Sequence, residues 1–196
     1  MTRILRALSA LLLTAGLARL GTAADLYQVD KAHSRVGFSV SHMMISSVEG
    51  NFKDYQLELK VDPADLAKSS VKAVIQTASI NTENEKRDEH LRSDDFFDAA
   101  QFPTITFTSK KIEQRGKQWV ALGDFSMRGV SKPIELPFTL GGPIVDPWGN
   151  TRLALRTRVT LNRQDYGVSW SKSMDGGGFV VGDEVVVSIV LEATKQ

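Results

Sequence analysis

Apolar and polar residues alternate with a period of two along most of the chain, which is the pattern of half-buried β-strands. In 55–61 the alternation places four apolar side chains on one face: Tyr55, Leu57, Leu59 and Val61. It recurs in four further segments: 104–110, 133–140, 152–161 and 184–193. Turns rich in glycine, proline and asparagine separate these runs. The pattern predicts about eight to ten antiparallel strands in a sandwich or a barrel.

Two segments have a helical rather than an alternating pattern. Residues 84–99 predict one short helix, and 63–69 predict a single helical turn. Pro103 follows the helix at the entry to the next strand, where a missing N–H group costs little. We therefore expect an all-β fold with one short helix.

The apolar strand faces are compatible with two kinds of interior. Val36, Phe38 and Val40 share the face of His42 in an unbroken strand. If about eight strands close into a barrel, its interior can hold one elongated ligand. If two sheets pack together, the same side chains form an ordinary core. Periodicity and composition leave both interiors open.

The N-terminal residues have the layout of a secretory signal peptide. Arg3 and Arg6 precede an apolar run at 7–18, and small residues follow at 21–24. The segment 1–24 is therefore predicted to direct export and to be removed after Ala23 or Ala24.

A membrane anchor is the alternative for this leader. It is disfavoured because Arg19 ends the apolar run well short of the roughly 20 residues that a spanning helix needs. Residues 25–196 then form a single exported domain, which we expect in the periplasm with no stable membrane span.

Charge and cysteine content exclude several classes of function. Without the three arginines of the leader, the 24 basic residues become 21, against 23 acidic residues. Nucleic acid is an unsuitable partner, because no cluster of lysine and arginine is present. The chain has no cysteine, which rules out disulfides and thiolate catalysis. The arginines of 152–163 are predicted to form a solvated strand face.

Candidate catalytic and metal-binding residues are few. His33, His42 and His90 could in principle ligate a metal, but their spacing matches no zinc motif. The sequence contains no G-x-S-x-G motif. The glycine run 176–178 leads into a strand and lacks the Lys-Ser/Thr ending of a phosphate loop. We expect a protein that is not an enzyme and that needs no metal or cofactor, with a histidine-dependent enzyme as the alternative.

Four segments resemble the YceI-like family of lipocalin-like periplasmic proteins that bind polyisoprenoids. The first, 27–52, contains Asp30 and His33-Ser34. The second, 87–109, contains Asp95-Phe96-Phe97 and then Phe102-Pro103. The third and fourth are 122–138, with Arg128-Gly129-Val130, and the closing strand 181–193.

The resemblance implies an extended eight-stranded antiparallel lipocalin-like β-barrel, with the helix packed on it or capping it. The interior would hold the chain of an isoprenoid lipid, such as an isoprenoid quinone or a prenyl phosphate, for carriage or storage. The family has no agreed catalytic residues, so the resemblance assigns none.

The predicted ligand site follows from the strand faces and the resemblance. Ten residues are predicted to line the barrel: Phe38, Val40, Phe52, Phe96, Phe97, Ile105, Phe107, Trp119, Phe125 and Met127. His42, Arg87 and His90 are predicted to orient a polar head group at the mouth. Three alternatives stay open: a different amphiphile such as a fatty acid or fatty amide, a helix that only plugs the barrel, and a fully packed interior. A homodimer is also left open.

Overall fold

The computed structural model describes residues 24–196, so the predicted signal peptide lies outside the described residues except for Ala24. One α-helix, α1 (Glu85–Arg92), accompanies eleven strands. The strands are β1 (Asp25–Val29), β2 (Arg35–His42), β3 (Ser46–Phe52), β4 (Tyr55–Val61), β5 (Ser70–Gln76), β6 (Ile80–Asn81), β7 (Thr104–Arg115), β8 (Gln118–Met127), β9 (Val130–Val145), β10 (Thr151–Asn162) and β11 (Val181–Lys195).

The strands form a closed antiparallel barrel. The ring runs β1-β4-β5-β7-β8-β9-β10-β11, and the pairing of β1 with β11 closes it. β2, β3 and β6 extend this ring: β11 pairs with β1 and then with β2, β2 pairs with β3, and β3 pairs with β6. Three of the long strands are interrupted, because β1 and β2, β3 and β4, and β5 and β6 are each the two parts of one strand. Together with the five uninterrupted strands they make eight. This confirms the predicted eight-stranded lipocalin-like barrel.

A β-bulge in β7 decides which of its side chains face the interior. The register between β7 and β8 shifts between Ser109 and Lys111. An extra residue reverses the alternation beyond it. Ile105 and Phe107 before the bulge, and Ile112 after it, consequently all face inward.

Helix α1 is shorter than predicted. Asn84 caps its N-terminus, because its side-chain Oδ1 accepts a hydrogen bond from the N–H of Arg87 at 3.0 Å. The predicted end at Ala99 is wrong. The helix ends at Arg92, since Ser93 takes an extended backbone conformation and its hydroxyl caps the last turn. Among residues 24–196, no helix has the length and apolar character that crossing a membrane requires.

The barrel has two different ends. The helix end contains α1, the β2–β3 turn at 43–45 and the long connection 163–180 before β11. The far end contains the β9–β10 turn at 146–150 and the β7–β8 turn at 116–117. The largest cluster of buried apolar side chains lies towards the helix end and includes Phe96, which follows α1.

An ion-pair network near the far end joins β10 and β11 to the β9–β10 turn and to Asp30, which follows β1. The Arg152 guanidinium donates to Asp146 at 2.6 Å, to Glu192 at 2.7 Å and to Asp30 at 3.1 Å. Burial raises the pKa of Asp146, but Arg152 and the amides of Asn150 more than offset this, so that the pKa of Asp146 is about 2. The prediction of a solvated arginine face is therefore wrong at Arg152, whose charge is used within the fold.

We expect Asp146→Asn to lower stability in a pH-dependent way. The ionised carboxylate stabilises the fold above its ordinary pKa of 3.8, and this contribution is lost as the pH falls through about 2. Urea unfolding at a series of pH values should show a clear gap between wild type and variant at pH 7. The gap should narrow below pH 4. Asp175→Asn, at an exposed turn, is the control; a gap that stays constant down to pH 2 would contradict this role.

Candidate functional site

The barrel encloses a cavity of about 380 Å³. Inward-facing side chains from all eight long strands line it, and α1 and the connection 163–180 close part of the helix end. This volume lies within the usual range of small-molecule sites. The alternative of a fully packed interior is therefore wrong.

Most of the predicted lining residues face this cavity. Nine of the ten do so: Phe38, Val40, Phe52, Phe96, Phe97, Ile105, Phe107, Phe125 and Met127. Leu91 of α1 and the two phenylalanines that follow the helix also reach the cavity, so the helical segment contributes to its wall. Contact of these side chains with a ligand stays a prediction.

Trp119 is the exception among the predicted lining residues. It packs against a cluster that contains Ile112, Ala121 and Phe138, which face the cavity in its place. Trp119 lies near the start of β8, opposite Gln114 and Phe138 of the neighbouring strands. Trp119 shares the parity of Ala121, Phe125 and Met127, but it lies beyond them towards the start of β8 and outside the cavity lining.

The ten predicted lining residues include none from the long strands β9, β10 and β11. These three strands contribute alternating aliphatic side chains: Ile134, Leu136, Leu140, Leu155, Val159, Val185, Val187 and Ile189. The period-two signal for these residues was present, but it does not say which face of a strand is inside. Trp170 and Val180 also line the cavity from the connection before β11, where the sequence carries no periodic signal.

The aromatic side chains lie along the wall rather than across the interior. Phe38 pairs across the strands with Gly50, and a Cβ atom on Gly50 would lie 2.4 Å from Cζ of the Phe38 ring. The ring therefore occupies the space that any other residue at 50 would fill. Phe52 and Phe97 continue the row, with ring centroids 5.9 Å from Phe38 to Phe52 and 6.0 Å from Phe52 to Phe97. This arrangement keeps the helix half of the cavity open.

The predicted head-group residues meet at the helix end of the cavity. His42, Arg87 and His90 all line it. The Arg87 guanidinium donates to the hydroxyl of Thr82 at 2.7 Å and to its carbonyl at 2.8 Å. Neither acceptor is charged, and no carboxylate of residues 24–196 forms an ion pair with Arg87. The Thr82 hydroxyl itself donates to the buried carboxylate of Asp88 at 2.5 Å, so Arg87 stands beside the apolar cavity and reaches this carboxylate only through Thr82.

His90 belongs to an aromatic group at the same end. Its ring packs edge-on against Phe96 and Trp170, with centroids 5.0 and 5.1 Å away. Its Nε2 lies 2.8 Å from Oδ2 of Asp95, which fixes the ring orientation. The imidazole is held as part of the wall.

Arg163 is a buried cation that the sequence did not reveal. It is 4% exposed and donates to the carbonyls of Val168 and Trp170 at 2.6 and 2.8 Å. Burial lowers the pKa of Arg163, and Asp183, at 3.2 Å, partly offsets this effect. These bonds hold the connection 163–180 against the barrel, so the prediction of a solvated side chain is wrong here.

The three histidines do not form one site. His33 lies apart from the cavity lining, and its Nδ1 is 2.8 Å from Asp30. Asp30, His33 and Glu192 are close enough together to ligate a metal ion. The Arg152 guanidinium, however, already donates to both carboxylates, and its positive charge disfavours a cation there.

The domain is similar to known proteins over most of its length. A YceI-like domain is matched by residues 27–193. A UPF0312 protein of Pseudomonas savastanoi pv. phaseolicola is 37% identical over 165 residues, which are 83% of this chain and 84% of that protein. The crystal structure of a Campylobacter jejuni YCEI protein is 37% identical with a TM-score of 0.68, and the match covers 87% of this chain and 98% of that one.

A more distant structure has the same fold. A polyisoprenoid binding domain from Saccharophagus degradans, implicated in plant cell wall breakdown, superposes with a TM-score of 0.61 over 87% of this chain and 98% of that chain. It is 17% identical, so the likeness concerns the fold alone. With the domain match from 27 to 193 and a curated relative at 37% identity, the chain belongs to the YceI-like family.

Proposed function

We propose that this protein is a periplasmic carrier or store of a long isoprenoid lipid, such as an isoprenoid quinone or a prenyl phosphate. The observation that carries the proposal is the continuous apolar cavity inside a closed barrel. The fold is also that of a polyisoprenoid binding domain. The role is binding rather than catalysis, and the leader at 1–24 would supply export.

The shape of the cavity suits a linear run of prenyl units. Its wall is almost wholly aliphatic and aromatic, and it extends from His42 and Arg87 at the helix end to Ile112 and Leu140 in the far half. A tail in this space needs no hydrogen-bond partner. Length and cross-section of the chain would therefore set selectivity more than polar contacts do.

Burial of the tail gives enough free energy for useful affinity. Each CH₂ group taken from water contributes about 0.8 kcal/mol, so one five-carbon unit contributes at most about 4 kcal/mol. Loss of motion on association costs several kcal/mol. Two or three buried units would offset that cost without a strong head-group contact.

The head group would lie at the helix end. Arg87 offers a cation that forms no direct ion pair among residues 24–196, and His42 and His90 offer imidazole groups at the same end of the cavity. A phosphate or a quinone oxygen could accept hydrogen bonds there while the tail stays dry. The role of these residues would be to orient the lipid.

Extraction of the purified domain with organic solvent is the direct test of this function. Residues 25–196 contain the whole closed ring, so this domain is the material to use. Mass spectrometry should recover a prenyl lipid. Recovery of fatty acid or fatty amide would show a different amphiphile. Empty protein that also fails to take up a prenyl chain from detergent solution would contradict the proposal.

We expect Arg87→Gln to weaken binding of a prenyl phosphate about tenfold, because a hydrogen bond to a charged group contributes roughly 1.5–3 kcal/mol. Binding of the matching headless hydrocarbon should not change. Lys86→Gln, the same change at an exposed neighbour, should affect neither ligand. Fluorescence titration with both ligands measures the difference. Equal weakening for both ligands would mean that Arg87 supports the fold through Thr82 instead.

Gly50→Ala tests whether the position of Phe38 keeps the cavity open. The new methyl group would meet the Phe38 ring, whose nearest atoms are 2.4 and 2.7 Å from the Cβ position, so the ring should turn into the cavity. We expect prenyl affinity to fall about tenfold or more. The double variant with Phe38→Leu should recover it. Gly141→Ala, whose Cβ has its nearest neighbour at 3.9 Å, is the control, and an unchanged affinity in Gly50→Ala would contradict this account.

A further inference from the structure

Four large apolar side chains project into solvent at the helix end. Met43, Met44 and Ile45 form the β2–β3 turn, and Phe179 lies in the connection before β11. Met44 is 72% exposed, Ile45 85% and Phe179 58%. We call these four residues the apolar tip.

The apolar tip is one assembled surface. The N–H of Met43 donates to the carbonyl of Val180 at 2.9 Å, which joins the turn to the connection. Met44 packs over Gly178, where an added Cβ would lie 2.5 Å from the Met44 sulfur. Two segments that are far apart in sequence thus present their apolar side chains together.

The turn conformation makes these residue types unexpected. Met43 and Met44 have φ values of 52° and 62°, in the left-handed region that asparagine and glycine occupy most easily. Methionine at both positions costs conformational energy and also exposes apolar surface. Such a local conflict marks a functional position more often than a structural one.

The apolar tip adjoins the cavity. His42 immediately precedes the turn, Val180 immediately follows Phe179, and both line the cavity at the helix end. A lipid that enters or leaves at this end passes directly beside the tip. The tip is therefore continuous with the surface that the lipid would meet.

We infer that the apolar tip docks the barrel on a lipid bilayer, so that an isoprenoid passes between membrane and cavity at the helix end. This inference rests on the proposed function. The tip exposes on the order of 500 Å² of mainly apolar surface, whereas a stable dimer needs roughly 800 Å² from each partner. A second copy of the chain would therefore be held poorly, but shallow insertion into a bilayer requires no matching surface.

The charge of the tip indicates which bilayer it recognises. The segment 43–48 contains no charged residue, and the loop residues 171–180 contain one lysine and one aspartate. Docking should therefore be apolar insertion, with little dependence on lipid charge or on salt. Neutral phosphatidylcholine vesicles are a sufficient probe.

Vesicle flotation with the domain 25–196 tests the inference. The variant combines Met44→Asn, which suits the left-handed backbone, with Ile45→Ser. We expect it to bind phosphatidylcholine vesicles about tenfold more weakly than wild type, and to load a prenyl alcohol from vesicles more slowly to a similar degree. Loading from detergent solution should not change. Trp148→Ser removes a side chain that is 80% exposed at the far end and serves as the matched control.

The results separate the docking inference from the proposed function. Unchanged vesicle binding in the tip variant, or loss of binding in Trp148→Ser, would overturn the docking inference. So would a wild-type dimer that the tip variant converts to a monomer. If no variant loads prenyl alcohol from detergent while the tip still controls vesicle binding, the proposed function fails and the docking surface stands.

Discussion

Closure of the hydrogen-bonded ring between β1 and β11 is the constraint on which the other features depend. Once the ring is closed, every second side chain of eight strands must face the same interior. Inward-facing side chains can fill such an interior completely and leave no cavity. Here two inward rings lie over glycines of the wall, Phe38 over Gly50 and Phe107 beside Gly123, where an added Cβ would be 2.8 Å from the Phe107 ring. The aromatic bulk stays at the wall, and the cavity remains between.

The two ends of the barrel then carry different chemistry. At the far end, Arg152 joins three carboxylates and stabilises strand ends. At the helix end, Arg87 donates to Thr82 and reaches the Asp88 carboxylate only through the Thr82 hydroxyl, and exposed methionines adjoin the cavity. The ion pairs of Arg152 and the proposed head-group residues thus lie at opposite ends of the barrel axis. Both ends expose apolar side chains, such as Trp148 at the far end and Met44 at the helix end, but those of the helix end adjoin residues that line the cavity.

The sequence predicted the barrel and nine residues of its inner wall, because period-two alternation fixes side-chain parity along each strand. Alternation alone did not say which faces of β9, β10 and β11 are inside. It could not predict the effect of the β7 bulge, since one extra residue reverses parity without a sequence signal. Trp119 has inward parity but lies too near a strand end to reach the cavity. Arg163 was misjudged for a related reason: its carbonyl partners come from an irregular connection whose path is set by tertiary contacts.

We propose that the interior of the closed ring is a dry site for a prenyl chain. NMR of the domain with labelled methyl groups and a bound prenyl alcohol can locate the tail. We expect intermolecular NOEs from tail protons to Ile112, Ala121 and Leu140, deep in the barrel, together with NOEs to Ile105 and Ile189. NOEs confined to exposed methyl groups such as that of Met44, or a saturated protein with none to the interior, would contradict it.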